Sequence, residues 1–334
     1  GLRPVSQKAH ENGMRFMLWF EPERVTDPEN LAKNWGYNPN WAIAREGSRT
    51  ISNNIGNEDC LRWTLDRITG TLRENRVEMY REDNNSDPGS TWPMLDTQQE
   101  QLTGLPRKGI TENKGIQGHY MLWDEIIDFC AKNGKYTFID NCASGGGRND
   151  IESLRRSVPF MRSDADRTTT ALRLSMSSTF NRWIPFHGSS TRETKGQLDH
   201  MSGAGSSVYV NRASFLPVYN SSAEYTHSKE LDFELLRRNR NEWESVKDLL
   251  TKDFYVLTPW HHEFDRDDWT AFAYDDPASG QSILLAFRME DAESDTFVAK
   301  LKFARPGMQY TVRNADTGEV LKVGGSKLKE GFEI

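Results

Sequence analysis

The chain has 334 residues, enough for one large domain with a substantial core, or a large domain with a smaller one. Charged residues make up 27% and the formal net charge is −7, so a nucleic-acid partner has no electrostatic support, and no apolar run reaches the length of a membrane span. Three cysteines, Cys60, Cys130 and Cys142, are an odd number without metal-ligand spacing, which argues against a disulfide framework and a zinc site.

Leu2, Val5 and Ala9 recur at helical spacing, with Pro4 tolerated in the first turn and Asn12-Gly13 as a stop. Met14 to Phe20, apolar apart from Arg15, is a run of the length of a buried parallel strand, and it breaks off at Glu21-Pro22-Glu23-Arg24. An apolar strand ending in acids suits the C-terminal rim of a barrel. Thr26 to Asn57 reads as a long loop rich in Asn, Trp and Gly. Asn57 is placed to cap a helix carrying Leu61, Leu65, Ile68 and Leu72.

Val77 to Asn85 then opens as a strand and ends in a cation, a carboxylate and two amides, followed by Asp87-Pro88-Gly89. Arg81 and Asp83 fall on one side of an extended chain. Taken alone, these nine residues also read as an ordinary salt-bridged strand end. Ser86 to Gly109, with Trp92 and Pro93, reads as a second loop, and Gly115 to Lys132 as a helix with Leu122, Ile126 and Phe129 inward. Tyr136 to Cys142 is the third strand. It leads into Ala143-Ser144-Gly145-Gly146-Gly147-Arg148, whose three successive glycines let a backbone pass close to a ligand and expose its N–H groups. The run lacks the lysine and hydroxyl of a phosphate loop, which argues against a nucleotide.

A helix starts at Ile151, and Val158 to Arg167 reads as a fourth strand ending in charge, with Asp164 near its end. Trp183 to His187 and Ser207 to Val210 read as further short strands, and Ser228 to about Thr251 as a long helix. After Phe254, four runs alternate in period two between turn signals, which is the pattern of an antiparallel β domain. The expected boundary lies near residue 252, giving domains 1–252 and 253–334. Ten tryptophans and 11% aromatic residues suit a carbohydrate cleft better than a charged ligand. The chain starts at Gly1 without Met or a signal-like segment, so it is expected to be a piece of a longer polypeptide; compartment and oligomeric state stay open, a homo-oligomer included.

Four motifs occur in one order: Gly13 to Glu23, the tyrosine–basic–x–Asp–x–Asn run at 80–85, Cys142 to Arg148, and Arg162-Ser163-Asp164. Together they closely resemble the α-galactosidases of glycoside hydrolase family 36, the melibiase group. The resemblance implies an α/β chain: a partial (β/α)8 barrel, lacking its first two βα units and the family's N-terminal β domain, followed by a C-terminal antiparallel β-sandwich. It implies a retaining exo-glycosidase that takes a terminal α-linked galactose from an oligosaccharide, with no metal or cofactor and with neither nucleic acid nor membrane as partner. Motif to motif, Asp83 matches the nucleophile and Asp164 the acid/base. Trp19, Arg49, Arg81, Asn85, Cys142 and Arg162 match substrate-binding positions. Arg81 stands where the family usually has lysine, and a planar fork places its donors differently from an ammonium. Glu82 stands where the family usually has tryptophan. An α-N-acetylgalactosaminidase, a transglycosylase and a non-catalytic carbohydrate-binding relative are the alternatives.

Retaining hydrolysis needs one ionised carboxylate to attack the anomeric carbon and one protonated carboxyl to assist departure of the aglycone. Arg81 beside Asp83 is expected to favour its charged form. Asp164 has Arg162, Arg167 and Asp166 close in sequence, and Asp166 competes with it for the acid/base role. Against these roles stand plainer readings: structural ion pairs for Asp83 and Asp164, core packing for Trp19, and a small buried hydrophobe for Cys142. His187, His200, His261 and His262 show no ligand spacing, and Glu21 and Glu23 are read as supporting residues.

Overall fold

A computed structural model describes residues 1–47, 50–86, 88–191, 208–220 and 233–334. They form two compact units, Gly1–Pro159 and Phe160–Ile334. The expected boundary near residue 252 falls inside the second. No helix among the described residues is long and apolar enough to cross a membrane.

The first unit opens with α1 (Arg3–Glu11), β1 (Met17–Phe20), β2 (Arg24–Val25), α2 (Pro28–Trp35), β3 (Ala42–Ile43), β4 (Ile51–Asn53) and α3 (Glu58–Glu74). It continues through β5 (Met79–Glu82), α4 (Thr91–Thr103), α5 (Ile110–Lys132), β6 (Ile139–Asn141), α6 (Ile151–Leu154) and β7 (Ser157–Val158). β1, β5, β6 and β7 make one parallel sheet in that order. Asn57 starts α3 as expected: its side chain accepts from the N–H groups of Asp59 at 3.1 Å and Cys60 at 3.0 Å. Leu61, Ile68 and Leu72 of α3 then share a buried cluster with Leu122, Trp123 and Ile126 of α5 and with Val77, Tyr80 and Ile139. Each such side chain contributes about 1.5–3 kcal/mol on burial. α5 approaches backbone closely where Gly118 faces Ile55; a Cβ there would lie 2.2 Å from the Ile55 carbonyl oxygen.

Several expectations change here. β1 is half open rather than buried: as the edge strand it has one neighbour, and Met17 and Trp19 stay exposed. The loop expected at 26–57 contains α2, capped by Asp27 at 3.0 Å from the Asn30 N–H, and strands β3 and β4, which join β2 just before it in an antiparallel sheet of order β2-β4-β3. Strands of two or three residues are too short to show a period. The loop expected at 86–109 contains α4; Pro93 sits in its first turn, where a missing N–H costs little, and Gly104 at φ 71° ends it. The fourth strand is only β7, because Pro159 has no N–H to extend the ladder.

The second unit runs α7 (Thr170–Phe180), β8 (Gly188–Ser190), α8 (Val208–Ala213), β9 (Val218–Asn220) and α9 (Phe233–Val246). It then adds β10 (Asp253–Val256), β11 (Trp269–Asp276), β12 (Gln281–Arg288), β13 (Val298–Ala299), β14 (Gln309–Arg313), β15 (Val320–Gly324), α10 (Gly325–Glu330) and β16 (Phe332–Glu333). Alternation along β11 explains its two cores. Phe272 and Tyr274 pack with Leu174, Ala213 and Phe215, whereas Ala273 packs with Ala299, Leu301 and Leu328. β11 and β12 pair antiparallel, as the period-two pattern predicts, and β10, outside that pattern, adds to β11 antiparallel. The strand expected at 183–187 lies instead at β8, after Pro185, and pairs in parallel with β9. The strand expected at 207–210 is replaced by α8; Ser207 is outside the described residues, as are the start of the long helix at 228–232 and His200. Of the run 297–303, only Val298–Ala299 is strand.

Candidate active site

Three parallel strands bring their C-terminal ends together in the first unit. Register aligns Trp19 of β1 with Arg81 of β5, and Arg81 with Asp140 of β6, so the three side chains form one row. Arg81 ion-pairs with the fully buried Asp140. Asp83 follows β5 directly, its N–H donating to the Phe20 carbonyl at 2.9 Å.

The Asp83 carboxylate accepts from five nitrogen donors. Oδ1 takes the backbone N–H groups of Asn84 at 2.8 Å, Ala143 at 3.1 Å and Ser144 at 3.1 Å. Oδ2 takes Asn85 Nδ2 at 3.0 Å and the Trp19 indole Nε1 at 3.4 Å. The buried Cys142 thiol is a further donor. Burial alone would raise the Asp83 pKa. The bonds from Asn85, from the Ser144 and Asn84 amides and from Cys142 outweigh it and hold the carboxyl below the usual aspartate range. The charged form is therefore favoured as expected, but by hydrogen-bond dipoles rather than by a direct ion pair with Arg81, whose guanidinium is given to Asp140.

The Ala143 and Ser144 amides reach Asp83 because their residues adopt left-handed backbone, φ 77° and 49°, ahead of Gly145 at 80° and Gly146 at 113°. For residues carrying a Cβ this conformation costs of order 1–3 kcal/mol each and persists only where the surroundings fix it. The three glycines are the residues expected to expose N–H groups to a ligand; the amides that project are instead those of Ala143 and Ser144, and the acceptor they meet is Asp83. Asn85 is anchored in turn: its N–H and Nδ2 donate to Glu21 Oε1 at 2.9 and 2.8 Å. Trp19 is 46% exposed, so it forms an open wall beside the carboxylate and not a piece of core.

Behind the strand lies a second, buried network. Glu82, pointing opposite to Arg81, accepts at Oε2 from Tyr80 OH at 2.6 Å and Trp123 Nε1 at 2.7 Å. Its Oε1 meets His119 Nε2 at 2.5 Å and Arg148 Nη1 at 3.1 Å. Arg148 also bonds Glu23 through Nη2. Burial opposes ionisation of Glu82, and His119 and Arg148 override it, keeping its pKa low. Donor atoms of Glu23, Glu82 and His119 lie within 4.8 Å of one another, a spacing that suits a cation, and the Arg148 guanidinium already occupies both carboxylates. The sequence marks Arg148 only as the end of the glycine motif, with no role, and does not single out His119 or Trp123. The four-residue spacing of His119 and Trp123 on one helix face was the available signal.

In the second unit, Asp164 opens the turn Asp164–Arg167, is about half exposed, and pairs with Arg167 at 3.3 Å. Asp166 is fully buried and takes the Arg162 fork at 2.8 and 3.0 Å. Arg162, expected among sugar contacts, is itself fully buried and also donates to the Arg173 carbonyl at 2.8 Å and Ser177 Oγ at 3.1 Å, because Asp166 four residues on meets its fork squarely. Arg49 lies outside the described residues.

The Melibiase family model matches residues 1–181. Among curated proteins, the chain is 23% identical over 170 residues to an α-galactosidase of Escherichia coli, covering 49% of this chain and 21% of that protein. It is 27% identical over 159 residues to α-galactosidase 2 of Pediococcus pentosaceus, covering 46% and 20%. In structure it resembles an α-galactosidase from Lactobacillus brevis, with TM-score 0.75 and 18% identity over all of this chain and 43% of the other. The GH36 α-galactosidase AgaA from Geobacillus stearothermophilus gives TM-score 0.74 at 18% identity, over all of this chain and 44% of that one. The chain thus spans about a fifth of the length of the curated relatives it matches and less than half of these solved structures.

Proposed function

The chain belongs to the melibiase family, and from that premise and the cradle around Asp83 we propose that it carries the catalytic part of a retaining α-galactosidase. Asp83 is the nucleophile: it attacks the anomeric carbon to form a covalent glycosyl-enzyme, which water then resolves. The single observation that carries this assignment is a carboxylate at a strand end held ionised by five nitrogen donors and left partly open to solvent. Asp164 is our candidate for the acid/base, since its half-exposed carboxyl can reach solvent, whereas that of Asp166 is locked to Arg162.

Trp19 offers an apolar face for a sugar ring, and Arg81, Asn85 and Cys142 line the same strand ends. The substrate class is a galactose-containing oligosaccharide: substituted variants of AgaA have been solved in complex with raffinose and with stachyose. The fold context we propose is a partial (β/α)8 barrel with a C-terminal β-sandwich.

The test is hydrolysis of a chromogenic α-galactoside by Asp83→Asn, Asp164→Asn and Asp166→Asn variants. Loss of about 100-fold or more is expected for the first two, and azide should restore turnover to Asp83→Gly with the product's configuration inverted. Full activity in Asp83→Asn would remove the nucleophile assignment.

A further inference from the structure

We infer that Arg148 is a positioning residue for the Asp83 chemistry: its guanidinium ties the ends of two strands to the turn whose amides hold the carboxylate. The inference rests on Asp83 being the reacting carboxylate. Arg148 closes the turn that begins at Ala143, and its own carbonyl is fixed by Asn141 Nδ2 at 3.1 Å. One arm of its fork reaches Glu82, the residue directly before Asp83, at 3.1 Å; the other holds Glu23, just past the end of β1. Glu82 is not free to follow a moving partner, since Tyr80, His119 and Trp123 pin it at 2.6, 2.5 and 2.7 Å. Arg148 is therefore anchored on fixed groups.

The opposite end of the turn is the strained one. Ala143 and Ser144 keep φ of 77° and 49°, and the Gly147 N–H closes the turn on the Ala143 carbonyl at 2.8 Å. A Cβ at Gly147 would lie 2.9 Å from that same oxygen, so the turn has little room for another shape. A left-handed pair of this kind relaxes unless both ends are held. Asp83 holds one end through the two amides, and Arg148 holds the other. Releasing Arg148 lets the amides swing away, so that the carboxylate loses both its aim and the dipoles that keep it charged.

The experiment compares the protein with Arg148→Met, Arg148→Lys and the double variant Arg148→Met/Glu23→Gln. The double variant removes one of the two buried acids left unpaired and so guards against simple misfolding. Two readouts are taken: the pH profile of kcat, and the carbon-13 titration of the Asp83 carboxyl in aspartate-labelled protein, assigned by its absence in Asp83→Asn. We expect kcat to fall by about 100-fold in Arg148→Met, with KM changed far less. The acid limb and the Asp83 carboxyl should both move to higher pH, with Arg148→Lys intermediate. An Asp83 titration unchanged in a folded Arg148→Met or double variant would overturn the inference even if kcat fell, because bulk packing alone would then explain the loss. Full activity in Asp83→Asn would instead overturn the nucleophile assignment and leave the titration result standing as a test of the coupling.

Discussion

Replacing Glu82 with Gln isolates the charge of the buried network without changing its volume. The carboxylate meets four donors, from Tyr80, Trp123, His119 and Arg148. An amide has one acceptor oxygen, so whichever way it turns, its NH2 group faces two of them. The least costly arrangement points the NH2 at His119, which can switch tautomer and accept, leaving the Arg148 N–H opposed. Breaking a buried ion pair from one side costs about 3–5 kcal/mol. Arg148 keeps Glu23 as a partner, so we take the lower end, about 3 kcal/mol.

Urea unfolding of both proteins at pH 7, followed by tryptophan fluorescence, reads this directly. A loss under about 1 kcal/mol, the net value of one neutral hydrogen bond, would refute the claim that Glu82 is a structural anion. The pH dependence carries a sign. The folded pKa of Glu82 is depressed by His119 and Arg148 against burial, so its stabilisation is present above the ordinary value of 4.5 and is lost as pH falls from there through the folded value. The gap between the proteins should narrow below pH 4.5, by at most about 1.4 kcal/mol per pH unit.

Three further outcomes are expected. Trp19→Phe keeps an aromatic face but removes the 3.4 Å donor to Asp83; for one long, exposed bond, kcat/KM should fall by less than about tenfold, with the acid limb of the pH profile moving up. Asp96 on α4 accepts from the Gly109 N–H at 2.8 Å and from Thr111 N and Oγ1 at 3.1 and 2.6 Å, capping α5 from outside; Asp96→Ala should cost about 1–2 kcal/mol in unfolding experiments and leave turnover at low temperature unchanged. Asp166→Asn breaks the buried Arg162 pair and should lower stability by about 3–5 kcal/mol. If kcat falls at unchanged stability instead, Asp166 rather than Asp164 is the acid/base.

Elements whose residues carry their own instructions were legible. Asn57 with the Leu61, Ile68 and Leu72 stripe specifies α3, and the alternation at 269–274 and 282–288 specifies a hairpin, because caps and periods are local. Asp83 was legible as a strand-end carboxylate. What escaped were facts set by register and by pairing across the sequence. Arg81 was read as the cation serving Asp83, yet register sets it opposite Asp140, 59 positions away, and a buried carboxylate takes the guanidinium first. The glycine run drew attention, but the residues that reach Asp83 are the two before it. Left-handed backbone at alanine and serine is a tertiary outcome that no propensity foretells. Arg162 looked available for a ligand because its four-residue relation to Asp166 was not weighed as a buried pair.

Adjacent acids with opposite fates follow from the pleat. Glu82 faces inward from β5, where Arg148 pairs with its charge and His119 hydrogen-bonds it, and Asp83 comes next, outside the ladder, where its partners are nitrogen donors and a thiol, none carrying a net charge. Both nearby guanidiniums are engaged with other carboxylates, Arg81 with Asp140 and Arg148 with Glu23 and Glu82. The difference matters for the nucleophile role proposed for Asp83. In that role its negative charge disappears on bonding to carbon, and a salt bridge to it would then leave a cation without its partner. Amide and indole dipoles favour the anion enough to keep it ionised, and lose less when it is neutralised. By drawing the cations off to neighbouring carboxylates, the site leaves Asp83 both charged and able to give that charge up.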